Sequence, residues 1–168
     1  MSMVEKQSKL EEKARSWMIE RGVTVDDIAD LVLFLQKKYH PTLDIAICKE
    51  NVDHVLRKRE VQNAILTGIQ LDVMAEQGQL VQPLQNIIFE DEGLYGVDEI
   101  LALSIVNVYG SIGFTNYGYI DKVKPGILAK LNEHDGENVH TFLDDIVGAI
   151  AAAAASRLAH SYHEDIVQ

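Results

Sequence analysis

Val97-Asp98-Glu99-Ile100-Leu101-Ala102-Leu103-Ser104-Ile105-Val106-Asn107-Val108-Tyr109 decides the reading of the fold. After its acidic first turn the segment is apolar nearly all round, the pattern of a helix with neighbours on every side. Working outward, each long segment again carries a helical period. Between residues 5 and 21, Leu10, Ala14, Trp17 and Met18 share one face, and Gly22 supplies the stop. Thr24-Val25-Asp26-Asp27 has capping-box spacing with Asp in place of Glu, ahead of a stripe of Ile28, Leu31, Val32 and Leu35. His40-Pro41 ends that helix. A short helix is expected after Thr42, and one long helix from Asn51 to about Gln77, with Gly68 either bending it or admitting a close neighbour. Leu80 to Phe89 carries Pro83 where a first helical turn accepts it. The sequence therefore predicts an all-α fold: one domain over residues 1–168, a bundle of six to eight helices around a central apolar helix near 97–109.

Composition agrees. The chain has 168 residues, 47% of them hydrophobic, with three prolines and eleven glycines, enough for a single well-filled core. Its one cysteine, Cys48, excludes an internal disulfide and reads as a small buried side chain. A formal net charge of −11 opposes nucleic-acid phosphates and anionic bilayers. The N-terminus is polar and mixed in charge, unlike a secretory signal. The longest run without charged or polar residues, Ile146 to Ala155, reaches about 15 Å as a helix, half a bilayer core. A soluble cytoplasmic protein with no spanning segment is expected, one that can work at the inner face of a membrane.

Two acidic pairs open apolar helices. Asp98 and Glu99 lie in the first turn of the segment quoted above, where the macrodipole alone rewards acids by up to about 1 kcal/mol each. Asp144 and Asp145 repeat the arrangement, and Thr141-Phe142-Leu143-Asp144 has capping-box spacing. Below Asp145 run Gly148, Ala149, Ala152 and Ala153, a stripe that lets another helix approach closely. A carboxylate at the top of such a seam needs a lysine or a metal. Two acidic pairs can offer oxygens to one Mg2+, with water and substrate phosphate completing its shell.

Between the pairs lies Asp121-Lys122-Val123-Lys124-Pro125-Gly126. Pro125 pushes Lys124 out of the helical region and suits the first position of a helix over 126–131, so that N–H groups at Gly126, Ile127 and Leu128 join Lys124 in an outline phosphate site. Asp121 either orients the lysine or joins the metal. The preceding stretch, Gly110 to Tyr119, is rich in glycine and aromatics and is read as a loop, a mobile lid or a connector with aromatic plugs; it lacks the ending of a P-loop. His134 or His140 could serve as a general acid beside the site. His160, His163 and Glu164 have the spacing of transition-metal ligands, and a solvated tail is the plainer reading.

Three of these motifs, in order across the C-terminal half, resemble the phosphatidylglycerophosphatase A family: Val97-Asp98-Glu99-Ile100-Leu101-Ala102-Leu103, then Asp121-x-x-Lys124-Pro125, then Leu143-Asp144-Asp145-Ile146-Val147-Gly148-Ala149. The soluble branch described as low temperature requirement C proteins of Gram-positive bacteria is the more similar. Gly118 stands where membrane-bound members carry an arginine. The resemblance implies an α-helical, Mg2+-dependent hydrolase of a phosphate monoester, in the family phosphatidylglycerophosphate. It implies Asp98, Glu99, Asp144 and Asp145 as metal ligands or acid–base groups, and Lys124 as a phosphate contact with Asp121 beside it. The partner would then be a phosphorylated small molecule or a phospholipid headgroup. The alternative is a non-catalytic helical homo-oligomer, a stress-related adaptor whose acids only cap helices. The small-residue stripe suits subunit packing too, and a homo-oligomer is expected.

Overall fold

The computed structural model describes residues 3–133 and 135–164, with side chains placed for 9–133 and 135–161. The fold is all-α, with no strand among these residues. In chain order the helices are α1 (Met3–Glu20), α2 (Val25–Gln36), α3 (Ile45–Leu56), α4 (Arg59–Glu76), α5 (Leu84–Phe89), α6 (Val97–Val106), a 3-10 turn at Asn107–Tyr109, α7 (Gly110–Val123), α8 (Ile127–Leu131) and α9 (Leu143–Glu164).

The centre of the bundle is α9, not the segment near 97–109. Every residue from Thr141 to Ser156 is buried, and α9 is packed by α2, α3, α6 and α7, with α4 and α8 completing the ring. The reason is girth. A helix built largely of Gly148, Ala149 and Ala151 to Ala155 is slim, so several neighbours reach its axis at once. Ser156 satisfies itself in this apolar setting by donating to Ala152 O at 2.8 Å. On α6 only Ala102, Ile105 and Val106 join Asp98 in the buried set, while Ile100 is 65% exposed. All-round apolarity thus placed α6 against α9 but did not enclose it.

Three local expectations need correction. The long helix from Asn51 to Gln77 is two helices, α3 and α4, with Lys58 in extended backbone between them. The buried Gln62 holds the break by donating from Nε2 to Leu56 O at 2.9 Å. The stretch Gly110 to Tyr119 is no loop or lid but the body of α7. Only Gly110, at φ 70°, needs glycine for its backbone. Gly113 is needed for approach instead, since a Cβ there would lie 2.9 Å from Val106 Cγ1. Packing against α9 overrides the weak helix propensity of this segment. Finally, Lys124 is left-handed (φ 44°, ψ 56°) rather than extended, and α8 begins after Gly126 instead of at Pro125.

Other expectations stand. Thr24 and Asp27 form the capping box reciprocally. Gly68 admits a neighbour: a Cβ there would meet Ile146 Cδ1 at 2.3 Å. Cys48 is fully buried, and that burial pushes its thiol up to about 11. By length and composition alone, Val97–Val123 is apolar enough to cross a membrane. Its serines, asparagines and glycines hid this from a search for unbroken apolar runs. Gly110 divides it, and both halves pack on α9 while leaving Val97, Ile100, Val108, Ile112, Phe114 and Tyr119 exposed.

Candidate active site

The N-terminal end of α9 organises the site, and a distant carboxylate holds it. Asp72 on α4 is fully buried and accepts N–H bonds from Phe142 and Leu143, both at 3.0 Å. These are N–H groups that a helix start leaves without partners. Asp72 therefore does what the Thr141–Asp144 capping box was expected to do. Thr141 is engaged elsewhere, donating from Oγ1 to Ile88 O at 2.6 Å. The segment before α9 is latched too: Arg21 pairs with Glu76 and donates to Val139 O at 2.7 Å, and Glu76 accepts from Val139 N at 2.7 Å. Burial pushes the Asp72 carboxyl well up, against the opposing pull of those two N–H bonds and of Arg21.

With the cap supplied from α4, Asp144 and Asp145 are released for other work. Asp144 is buried, accepts from the Asp145 N–H on Oδ1 at 2.8 Å, and accepts from Lys124 Nζ on Oδ2 at 3.0 Å. Lys124 also donates to Asp121 Oδ1 at 2.8 Å. The lysine thus bridges the end of α7 to the start of α9. Its left-handed backbone is a position where glycine or asparagine is usual, and such strain concentrates at functional sites. Burial works against its charge, but Asp144 and Asp121 outweigh that and hold the ammonium protonated. Asp144 is pushed up by burial, with Lys124 pulling the other way. Asp145 is pushed up further, by burial first and then by the charges of Asp144, Asp98 and Asp121.

The first turn of α6 completes the cluster. Gly96 at φ 71° turns the chain into the helix without a side-chain cap. Asp98 is 9% exposed, its Oδ1 is enclosed with no hydrogen-bond partner, and burial raises its carboxyl. Glu99 sits at the exposed rim. The structure therefore brings Asp98, Asp121, Lys124, Asp144 and Asp145 into one neighbourhood, with Glu99 at its edge. It does not recruit the helix start at Gly126: the Leu128 N–H already bonds Pro125 O at 3.2 Å, and α8 has only five residues. His140 turns away from the cluster, its Nδ1 3.2 Å from an Arg21 nitrogen. His160 is exposed, while His134 and the side chains of His163 and Glu164 lie outside the described residues.

Sequence reasoning missed three participants. Asp72 looked like one more polar residue on a helix. Asp91, in the acidic loop before α6, adds its charge to both Asp98 and Asp144 and sits at φ 50°. Tyr117 on α7 is 6% exposed and points its hydroxyl among the acids. A signal existed only for Asp91, in the run Glu90-Asp91-Glu92 beside the first acidic pair.

Several carboxylates stand against one lysine here, and the raised carboxyls of Asp144 and Asp145 reflect that crowding. Among the described residues no three His, Cys, Asp or Glu side chains converge closely enough to hold an ion by themselves. The enclosed, unpartnered Asp98 Oδ1 and the charge-crowded Asp145 are the oxygen donors that could hold a metal ion together with water or a ligand.

Comparison with known proteins covers the whole of this region. A family model described as Phosphatidylglycerophosphatase A matches residues 15–160. YutG of Bacillus subtilis (strain 168), described as uncharacterized, is 69% identical over 160 residues, covering 95% of this chain and 96% of its own. YpjQ of the same organism, also described as uncharacterized, is 58% identical over 147 residues, covering 88% of this chain and 82% of its own. The crystal structure of the low temperature requirement C protein from Listeria monocytogenes is 87% identical, with a TM-score of 0.92 over 94% of this chain and 99% of that one.

Proposed function

The chain belongs to the phosphatidylglycerophosphatase A family, and from that premise we propose that it is a Mg2+-dependent phosphatase of phosphate monoesters, the family reaction being phosphatidylglycerophosphate to phosphatidylglycerol. The observation that carries the reading is Lys124, held half-buried between Asp121 and Asp144 beside the raised carboxyl of Asp145 and the unpartnered oxygen of Asp98.

Mg2+ held by Asp98 and Asp145, with Asp144 and Glu99 next in reach, would neutralise phosphate charge and sharpen a water as nucleophile. The protein groups divide the remaining work. Lys124 has three N–H bonds to give and spends two on Asp121 and Asp144, which aims the third at a phosphate oxygen. Asp145 would position the attacking water. Asp144 keeps the lysine in place, and Asp121 fixes it from the other side.

The test is phosphate release from short-chain phosphatidylglycerophosphate and from soluble monoesters, with Mg2+, for the wild type and Asp145→Asn. The reading expects release by the wild type alone. Equal rates for the two proteins on every substrate would remove the enzyme reading.

A second reading concerns assembly. From Ile100 to Ile120 the chain carries no charged residue, although its net charge is −11. On that exposed apolar face of α6 and α7 two copies could meet without opposing like charges, and we propose a homo-oligomer joined there. Light scattering on the wild type and on Ile100→Glu tests it: the variant should be monomeric, and a wild type that is itself monomeric at micromolar concentration refutes the interface.

A further inference from the structure

We infer that Tyr117 is a direct substrate contact, its hydroxyl donating a hydrogen bond to a phosphate oxygen; this rests on the phosphatase reading above. The side chain is 6% exposed, and its hydroxyl is enclosed with no hydrogen-bond partner in the protein. Such a group is costly to bury, so its presence needs a reason. Packing does not supply one. The Tyr117 ring lies across Gly148, with Cε2 3.7 Å from the position of a Cβ there, and a phenylalanine would fill that space equally well.

What the hydroxyl faces supplies the reason. Gly148 is three residues beyond Asp145 and four beyond Asp144, so the ring edge lies directly below the acidic pair. The charges that act on it are those of Asp145, Asp121 and Glu99, and Asp121 is also a partner of Lys124. Asp145 is within reach as a hydrogen-bond acceptor for the hydroxyl, but the pair does not meet the distance and angle of a formed bond, so the donor is loosely held and open to a better acceptor. A phosphate anchored on the free N–H of Lys124 would bring an oxygen to that donor and give it a better-placed acceptor than Asp145. Two unlike donors, an ammonium on one side and a phenol on the other, would then orient the tetrahedral group against Asp145.

The test uses inorganic phosphate, the product, as probe. Calorimetric titration of phosphate in the presence of Mg2+ is run on the wild type and Tyr117→Phe, alongside Tm without phosphate and turnover of a soluble monoester. The expected result is about tenfold weaker phosphate binding and slower turnover in the variant, with Tm equal to or above the wild type, since a lost hydrogen bond to a charged group is worth about that factor. Unchanged phosphate affinity in a variant of an active wild type overturns the contact and leaves the phosphatase reading intact. Weaker binding accompanied by a fall in Tm overturns it too, because the hydroxyl would then be structural. A wild type that neither binds phosphate nor turns over removes both.

Discussion

Replacing Asp145 by asparagine should make the metal-free protein more stable, although it removes a site residue. Burial and the charges of Asp144, Asp98 and Asp121 push this carboxyl up from 3.8 to about 8, so the folded state prefers it protonated while the unfolded chain ionises it near 4. The sign follows from linkage: with the folded value raised, ionisation costs native stability progressively as pH climbs from about 4 towards 8. At about 1.4 kcal/mol per unit the full penalty at neutral pH approaches about 5 kcal/mol, and relaxation and water entry around such a site reduce it to about 2 kcal/mol. The asparagine side chain carries no such charge. Urea unfolding in EDTA should therefore place Asp145→Asn above the wild type by about 2 kcal/mol at pH 7.5, and the gap should close by about pH 4. Added Mg2+ should stabilise the wild type and leave the variant unmoved. A variant that is less stable at pH 7.5 would refute the reasoning, because Asp145 would then be a structural partner and not a group held under electrostatic strain.

The remaining predictions concern the supports of that cluster. Asp72→Ala should cost about 3 kcal/mol in urea unfolding, since it orphans the Phe142 and Leu143 N–H groups inside the core; a loss under about 0.5 kcal/mol would mean the cap is dispensable. Gly68→Ala should lower stability by about 1–3 kcal/mol because its new methyl would overlap Ile146 Cδ1, whereas Gly148→Ala, whose methyl would make only ordinary contacts at 3.7 Å, should be within about 1 kcal/mol of the wild type. The two melting curves measured side by side decide it, and equal losses would contradict the packing described.

Reading the chain alone found what was local. The Thr24 cap, the Gly22 stop and the acidic helix starts each rest on residues within one turn of each other, and the structure keeps them. The site's Lys124, Asp121 and Asp144 were legible for the same reason: short motifs placed them, and the fold then joined them by ion pairs. What escaped was set by distant contacts. No glycine or proline marks the break between α3 and α4, which Gln62 enforces from the following helix. The glycines of α7 looked like a loop because the sequence does not show Val106 crowding Gly113. Hydrophobicity could not say which of two apolar helices lies inside, and the slimmer α9 took the centre. Asp72 had no motif at all; its meaning depends on N–H groups seventy positions further along.

That separation in sequence also has a kinetic consequence. The carboxylates of Asp144 and Asp145 acquire their geometry only when the chain between α4 and α9 has closed into a loop of about seventy residues, a contact of high sequence separation whose entropy must be met before it stabilises anything. The acidic cluster is therefore not assembled until the first turn of α9 meets Asp72. Hydrogen exchange during refolding should find the Phe142 and Leu143 amides protected together with the whole bundle, not before it.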